Sequence, residues 1–353
     1  MDQTTVVEKN QQLRLMGRIY RQAKEVVVWF GEFTERWEDE LVENFKAFAT
    51  IYRVDPEASI PTSQMNNNEW YHAENFCRIY LPGYSQAGGH CLKFGELFNP
   101  KRHSREELLS EVLCVLDKVA GGSCLHNFPL FCSMDDHKNN REVIMVNRYW
   151  PVLLDCLRWL ALRPWWTRVW TVQEAVLPRA DPFVYVGSYT FRLSRLIGGI
   201  KSLMSHSLER CCKDIQNTFM ANYQNFSVVP FATVMNISEY REKFVEGSGP
   251  YALHTSDIIR LSQKRQATDP RDHFFGMLGL MPTGIAEHFQ ELGYSLSSAE
   301  LFSQCTKLLY GHPDNLDDLG DAVGVRDCTI PNLPTWAMDL SNRPGQHEVD
   351  THR

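Results

Sequence analysis

The sequence predicts an α/β fold, a parallel β-sheet flanked by helices. Three observations predict it. The run VVVWF from Val26 to Phe30 is short, continuous, rich in β-branched residues and closed by Gly31, which suits a strand covered on both faces. FVYV from Phe183 to Val186, followed by Gly187, is a second run of this kind. Segments of helical period flank both runs, which is the order expected of helices packed on a sheet.

The elements follow from the N-terminus. From Val7 to Lys24, Leu13, Met16, Tyr20 and Ala23 form an apolar stripe, while Gln11, Gln12, Arg14, Arg18 and Arg21 fall largely elsewhere. After the first strand a second helix runs from Arg36 to about Tyr52. Residues 53 to 145 mix prolines, histidines and glycines with short amphipathic pieces such as Arg105 to Val119. They lack a β-branched run of strand length and read as an insertion of loops and short helices that adds no central strand. Pro151 sits well in the first turn of the next helix and Pro164 ends it. Beyond residue 195 helical patterns dominate. The clearest is TDPRDHFFGMLGLMP: Asp269 caps a helix, Pro270 takes its first position, and Asp272 is placed to answer the cap residue's amide. Gly279 and Pro282 supply the stop signals.

The bulk numbers exclude several function classes. With 353 residues, 43% of them hydrophobic and 22% charged, the chain can bury a substantial core. A formal net charge of -7 argues against nucleic acid as the main partner. There is no apolar signal region at the N-terminus and no apolar run near the roughly 20 residues that span a bilayer. These features point to a cytoplasmic protein without a membrane partner. Ten irregularly spaced cysteines then read as reduced thiols, and the acceptor patterns at Asn225 and Asn236 as unused. Cys124, His126, Cys132 and His137 fit no standard zinc spacing, so no metal is expected. No phosphate loop, GxGxxG, HExxH or GxSxG motif is present.

RPWWTRVWTVQEAVLP, residues 163 to 178, places a carboxylate among tryptophans. As one continuous helix it would stack Trp166, Trp170, Glu174 and Leu177 on a single face. Two readings of Glu174 stand side by side. It pairs with Arg163, Arg168 or Arg179 to anchor a helix end, or it works at the mouth of a pocket, where aromatic neighbours tighten its grip on ligand hydroxyls.

Three separated blocks, residues 2 to 32, 163 to 187 and 268 to 280, the last followed by GYSLSSAELF and LPTWAMDLS, together resemble the heterokaryon incompatibility (HET) domain proteins of filamentous fungi. The resemblance implies a TIR-like, flavodoxin-like parallel sheet and a role in non-self recognition that ends in programmed cell death. Protein partners or self-association are implied with it. TIR domains carry a Trp-Cys-x-x-Glu stretch whose glutamate, in enzymatic members, serves NAD cleavage. Trp170 and Glu174 keep that spacing, with Thr171 in place of the cysteine. The resemblance thus makes Glu174 the candidate catalytic residue, with Trp170, Gln173 and Arg168 as candidate contacts to NAD, a substrate and not a bound cofactor. Met1 stands where a family member would still be inside its domain. The implied organisation is a HET domain over 1–195 that lacks its N-terminal part and carries the insertion at about 53–145, then a helical region over 196–353.

Overall fold

The computed structural model describes residues 5–52, 105–123, 131–136, 141–146, 150–209, 229–246, 253–310 and 330–341. Within them the chain is mostly helical, with one small mixed sheet and a separate hairpin. It divides into two compact units: Met1–Val28, Trp165–Pro182 and Asn236–Arg353 form the first, and Trp29–Pro164 and Phe183–Met235 the second.

The sheet follows the order β1 (Val27–Trp29), β4 (Phe183–Val186), β5 (Tyr189–Arg192), so the two predicted strands are neighbours in one sheet. Phe30 donates its amide to Tyr185 (3.0 Å) and Gly187 donates to Gly31 (3.0 Å). Both partners advance in the same direction, which makes this pairing parallel. β5 folds back antiparallel on β4 through Gly187 and Ser188, with Gly187 at φ +55°, a backbone that favours glycine. The sheet is therefore mixed and three-stranded, where a wholly parallel one was expected. The expected cover on both faces of β1 also fails. Val28 is 1% exposed, but Val27 and Trp29, which point to the opposite face, are 53% and 52% exposed, so only one face of β1 is packed.

In the second unit, α2 (Trp37–Tyr52) and α4 (Trp150–Ala161) meet around Glu40. Arg163 donates to the Glu40 carboxylate at 3.0 Å, Trp159 at 3.1 Å and Thr34 at 2.9 Å, and the Arg163 guanidinium stacks on the Trp159 ring at 4.2 Å. Burial pushes the Glu40 carboxyl up, but these bonds and the arginine charge outweigh it and hold the group below its ordinary value. The expected helix at Arg105 to Val119 is α3 (Arg105–Ala120). It packs against α6 (Leu193–Glu209). A strand pair that sequence reasoning did not anticipate, β2 (Phe131–Asp136) and β3 (Arg141–Val146), forms its own antiparallel hairpin and adds nothing to the main sheet. The rest of the expected insertion lies outside the described residues. So do Cys124, His126 and His137, and of Cys132 only the backbone is described. Among the described residues, Cys114, Cys156 and Cys305 are free thiols.

The first unit is helical: α1 (Val6–Gln22), α5 (Thr171–Val176), the end of α7 (Val229–Glu246), α8 (Thr255–Gln263), α9 (Asp272–Phe275), α10 (Thr283–Leu292) and α11 (Ser298–Tyr310). Phe274, Phe275 and Phe289 are buried in its core, with Phe274 and Phe289 edge-on at 4.6 Å.

Two adjacent glycines of α6 test the packing of the second unit. A Cβ on Gly199 would lie 2.7 Å from the Leu116 carbonyl and 2.8 Å from its Cβ, whereas one on Gly198 would sit 3.5 Å from Ala120. Gly198→Ala should raise stability by up to about 1 kcal/mol through helix propensity. Gly199→Ala gains the same propensity but forces two helices apart, at a cost of about 1–3 kcal/mol, so it should be net destabilising. Urea midpoints of the two variants against wild type check this, and equal effects would contradict the packing.

Candidate functional site

The segment that carries Glu174 is not one helix. Pro164–Thr167 is a 3-10 turn, Arg168 makes an isolated parallel bridge with Gln266, and only then does α5 begin. Thr171 punctuates the break, its hydroxyl donating to the carbonyls of Trp165 and Arg168, both at 2.7 Å. The expected single face is thereby broken, and Trp165, not Trp166, is the indole that reaches Glu174.

At six residues α5 is far too short to hold itself. It is held from outside at every turn. Trp170 Nε1 donates to Asp272 Oδ2 at 3.2 Å, and Gln173 Nε2 donates to the Gly276 carbonyl at 2.7 Å. Arg241 closes the C-terminal end, donating to the carbonyls of Ala175 (2.6 Å), Pro178 (3.1 Å) and Ala180 (3.3 Å). Just upstream, Arg265 donates to the Trp166 carbonyl, and Gln266 exchanges backbone bonds with Thr167 (2.6 Å) and Val169 (3.0 Å).

Glu174 itself is half-buried. Its Oε1 accepts the Tyr20 hydroxyl at 3.2 Å and its Oε2 accepts Trp165 Nε1 at 2.9 Å. Both donors are neutral. The expected ion pair with Arg163, Arg168 or Arg179 is absent: among the described residues Glu174 has no cation within 4.0 Å, and Arg163 is engaged by Glu40 instead. Burial, followed by the charge of Glu174 and the bond to it, pushes the Tyr20 phenol well above its ordinary value, while Arg168 opposes the shift. Tyr20 therefore stays a proton donor to the carboxylate at any physiological pH. Each carboxylate oxygen has acceptor capacity left over, so the group can still take hydroxyl hydrogen bonds or face a positive charge.

The three candidate contact residues differ in setting. Arg168 is exposed, Trp170 is half-buried and bonded to Asp272, and Gln173 is 1% exposed with its amide turned onto Gly276. Sequence reasoning missed Tyr20 and Trp165 as partners of Glu174. The signal for Tyr20 was its place on the inward stripe of α1, where a buried ring brings a hydroxyl that needs a partner.

The third block contributes as much as the other two. Asp269 does not cap as expected: α9 begins only at Asp272, with Arg271 before it, and Asp269 Oδ1 accepts the Arg271 amide at 3.1 Å in the preceding turn while its other oxygen binds the Arg271 guanidinium at 2.7 Å. Asp272 does not answer the cap amide. Its two oxygens accept the Tyr294 hydroxyl and the Trp170 indole, and burial raises its carboxyl above the ordinary value despite those bonds. Glycines permit the close approach: a Cβ on Gly17 would lie 3.1 Å from the Gly279 Cα, and one on Gly279 would overlap Gln173 Oε1. Arg21 donates to the Gly279 carbonyl in the same place.

Residues 1–81 match the family model described as Heterokaryon incompatibility protein (HET). The match covers residues 1–81 of a chain of 353. That segment includes α1 with Tyr20, β1 and α2, and it extends past residue 53, where the insertion was expected to begin. The second and third blocks lie outside the matched residues. No curated protein and no solved structure matches the chain. Among the described residues no helix is long and apolar enough to cross a membrane, and no group of three or more His, Cys, Asp or Glu could hold a metal ion.

Gly279→Ala should cost about 1–3 kcal/mol, because the new methyl must displace Gln173. The cost should be coupled: Gln173→Ala vacates the space, so the double variant should be more stable than the sum of the single changes predicts. Denaturation of the four proteins measures that coupling. Asp269 offers a pH test. Burial raises its carboxyl, but the bonds and charge of Arg271, with Lys9, outweigh this and hold it below 3.8. Its stabilising contribution is thus complete above that unfolded value and is lost as pH falls through the lower folded one. Melting temperatures followed from about pH 5 downward should fall less steeply for Asp269→Asn than for wild type.

Proposed function

We propose that the chain is a heterokaryon-incompatibility signalling protein, acting in the fungal cytoplasm in non-self recognition that ends in programmed cell death. The match of residues 1–81 to the HET family carries this reading. In it, residues 1–195 act as a TIR-like effector domain and 196–353 as an associated helical region. Expression in fungal hyphae should reduce viability, scored by dye uptake and colony extension. Normal growth at an expression level verified by immunoblot would count against the reading.

A finer reading concerns chemistry, and the neutral surroundings of Glu174 favour it. A carboxylate held only by neutral donors has no ion pair to break before it faces a ligand's positive charge. In NAD cleavage the bond between nicotinamide and ribose breaks, its electron pair leaves with nicotinamide, and positive charge develops on the sugar. Glu174 opposes that charge and accepts ribose hydroxyls, while exposed Arg168 is available to the pyrophosphate. Water then adds to the sugar carbon and loses its proton, giving ADP-ribose, and the step requires no metal. Glu174→Gln keeps an acceptor for Trp165 and strands no cation, so stability should change by no more than about 1 kcal/mol. NAD turnover should fall by on the order of a hundredfold or more. Unchanged turnover in the folded variant removes Glu174 from the mechanism. A wild type that consumes no NAD leaves a non-catalytic module working by self-association, which light scattering would detect.

A further inference from the structure

We infer that Asp272 is a positioning residue for Glu174, acting through the Trp170 indole. The inference rests on the reading of Glu174 as the working carboxylate. Trp170 caps α5 with helical backbone angles (φ -66°, ψ -27°), so it stands one turn before Glu174 on the same face. A six-residue helix has little rigidity of its own, and its rotation about its axis is set by whatever holds its side chains. On the face of Glu174 that anchor is the bond from Trp170 Nε1 to Asp272 Oδ2.

Asp272 is suited to this task because its own carboxylate is fixed on both oxygens. Tyr294 donates its hydroxyl to Oδ1. The Tyr294 ring packs on Phe275 at 4.6 Å, and its backbone amide donates to Asn10 at 2.7 Å. Arg271 and Lys9 stand over the same ring at 5.0 and 5.2 Å. The acceptor that orients Trp170 thus belongs to a packed cluster, not to a loose loop. Asp272 opens α9, and both of its oxygens accept from side chains. Displacing the catalytic group by a fraction of an ångström is enough to slow a positioned reaction.

Indole nitrogen labelling of the full chain tests the inference directly. The Trp165 Nε1–H group donates to Glu174, so its cross-peak, assigned through Trp165→Phe, reports the position of the carboxylate. In Asp272→Asn and in Trp170→Phe that cross-peak should move by more than its linewidth, with the helical content of the chain retained. NAD turnover should fall by roughly ten- to a hundredfold, in kcat more than in KM. If Asp272→Asn fails to fold, Trp170→Phe carries the same test. A Trp165 cross-peak that stays in place in the folded variants overturns the positioning role. Absence of NAD turnover in wild type overturns the catalytic reading alone, since the cross-peak still decides whether Asp272 sets the position of Glu174.

Discussion

Two glycines in van der Waals contact govern the surroundings of Glu174. With no Cβ on Gly17 or Gly279, α1 comes close enough for its next residues to reach inward: Tyr20 to Glu174 and Arg21 to the Gly279 carbonyl. The absent Cβ of Gly279 also leaves the space that Gln173 fills. The tie between α1, α5 and the 278–280 turn is therefore steric before it is electrostatic. Side chains at either glycine would separate the groups that make the hydrogen bonds.

Four carboxylates among the described residues fall into two kinds. Glu40 and Asp269 are held by arginines, and both titrate below their ordinary values although partly buried. Glu174 and Asp272 are each held by one tyrosine hydroxyl and one tryptophan N–H. At Asp272 these neutral donors do not offset desolvation, and its carboxyl titrates above its ordinary value. An arginine satisfies a carboxylate and largely ends its influence. Neutral donors fix the direction of a carboxylate and leave its field for whatever lies beyond.

Much of this was legible in the chain. Phe183–Val186 is a strand with the bounds its apolar run implied, and Leu13, Met16 and Tyr20 of α1 turn inward as their spacing required. The cover of β1 was not legible, because in a three-residue strand a continuous apolar run does not show which of its two faces is packed. The Trp-rich segment was misread for a related reason. Helical spacing was counted across Pro164 to Thr171, but Thr171 and Gln266 capture the carbonyls a continuous helix would have used. Asp272 fell at the right offset for a capping box, and only the fold could show that Tyr294 and Trp170 claim it first. Ion pairing for Glu174 was the reasonable expectation from local arginines. Of the three arginines, Arg163 is engaged by Glu40, a residue 123 positions away, and Arg168 and Arg179 are exposed.

The sequence separations in the first unit also set an order of events during synthesis. Asn10 binds the backbone of Tyr294, 284 residues later, and Tyr20 meets Glu174 after 154. At the usual pace of about 5–20 residues per second, the ribosome needs roughly 15–60 s to deliver Tyr294 after Asn10 has been made. Glu174 is available to Tyr20 once the second block has been made, but Gly279 and Tyr294, two further partners of α1, come only with the third. The contacts of α1 are therefore completed only when the third block has left the exit tunnel.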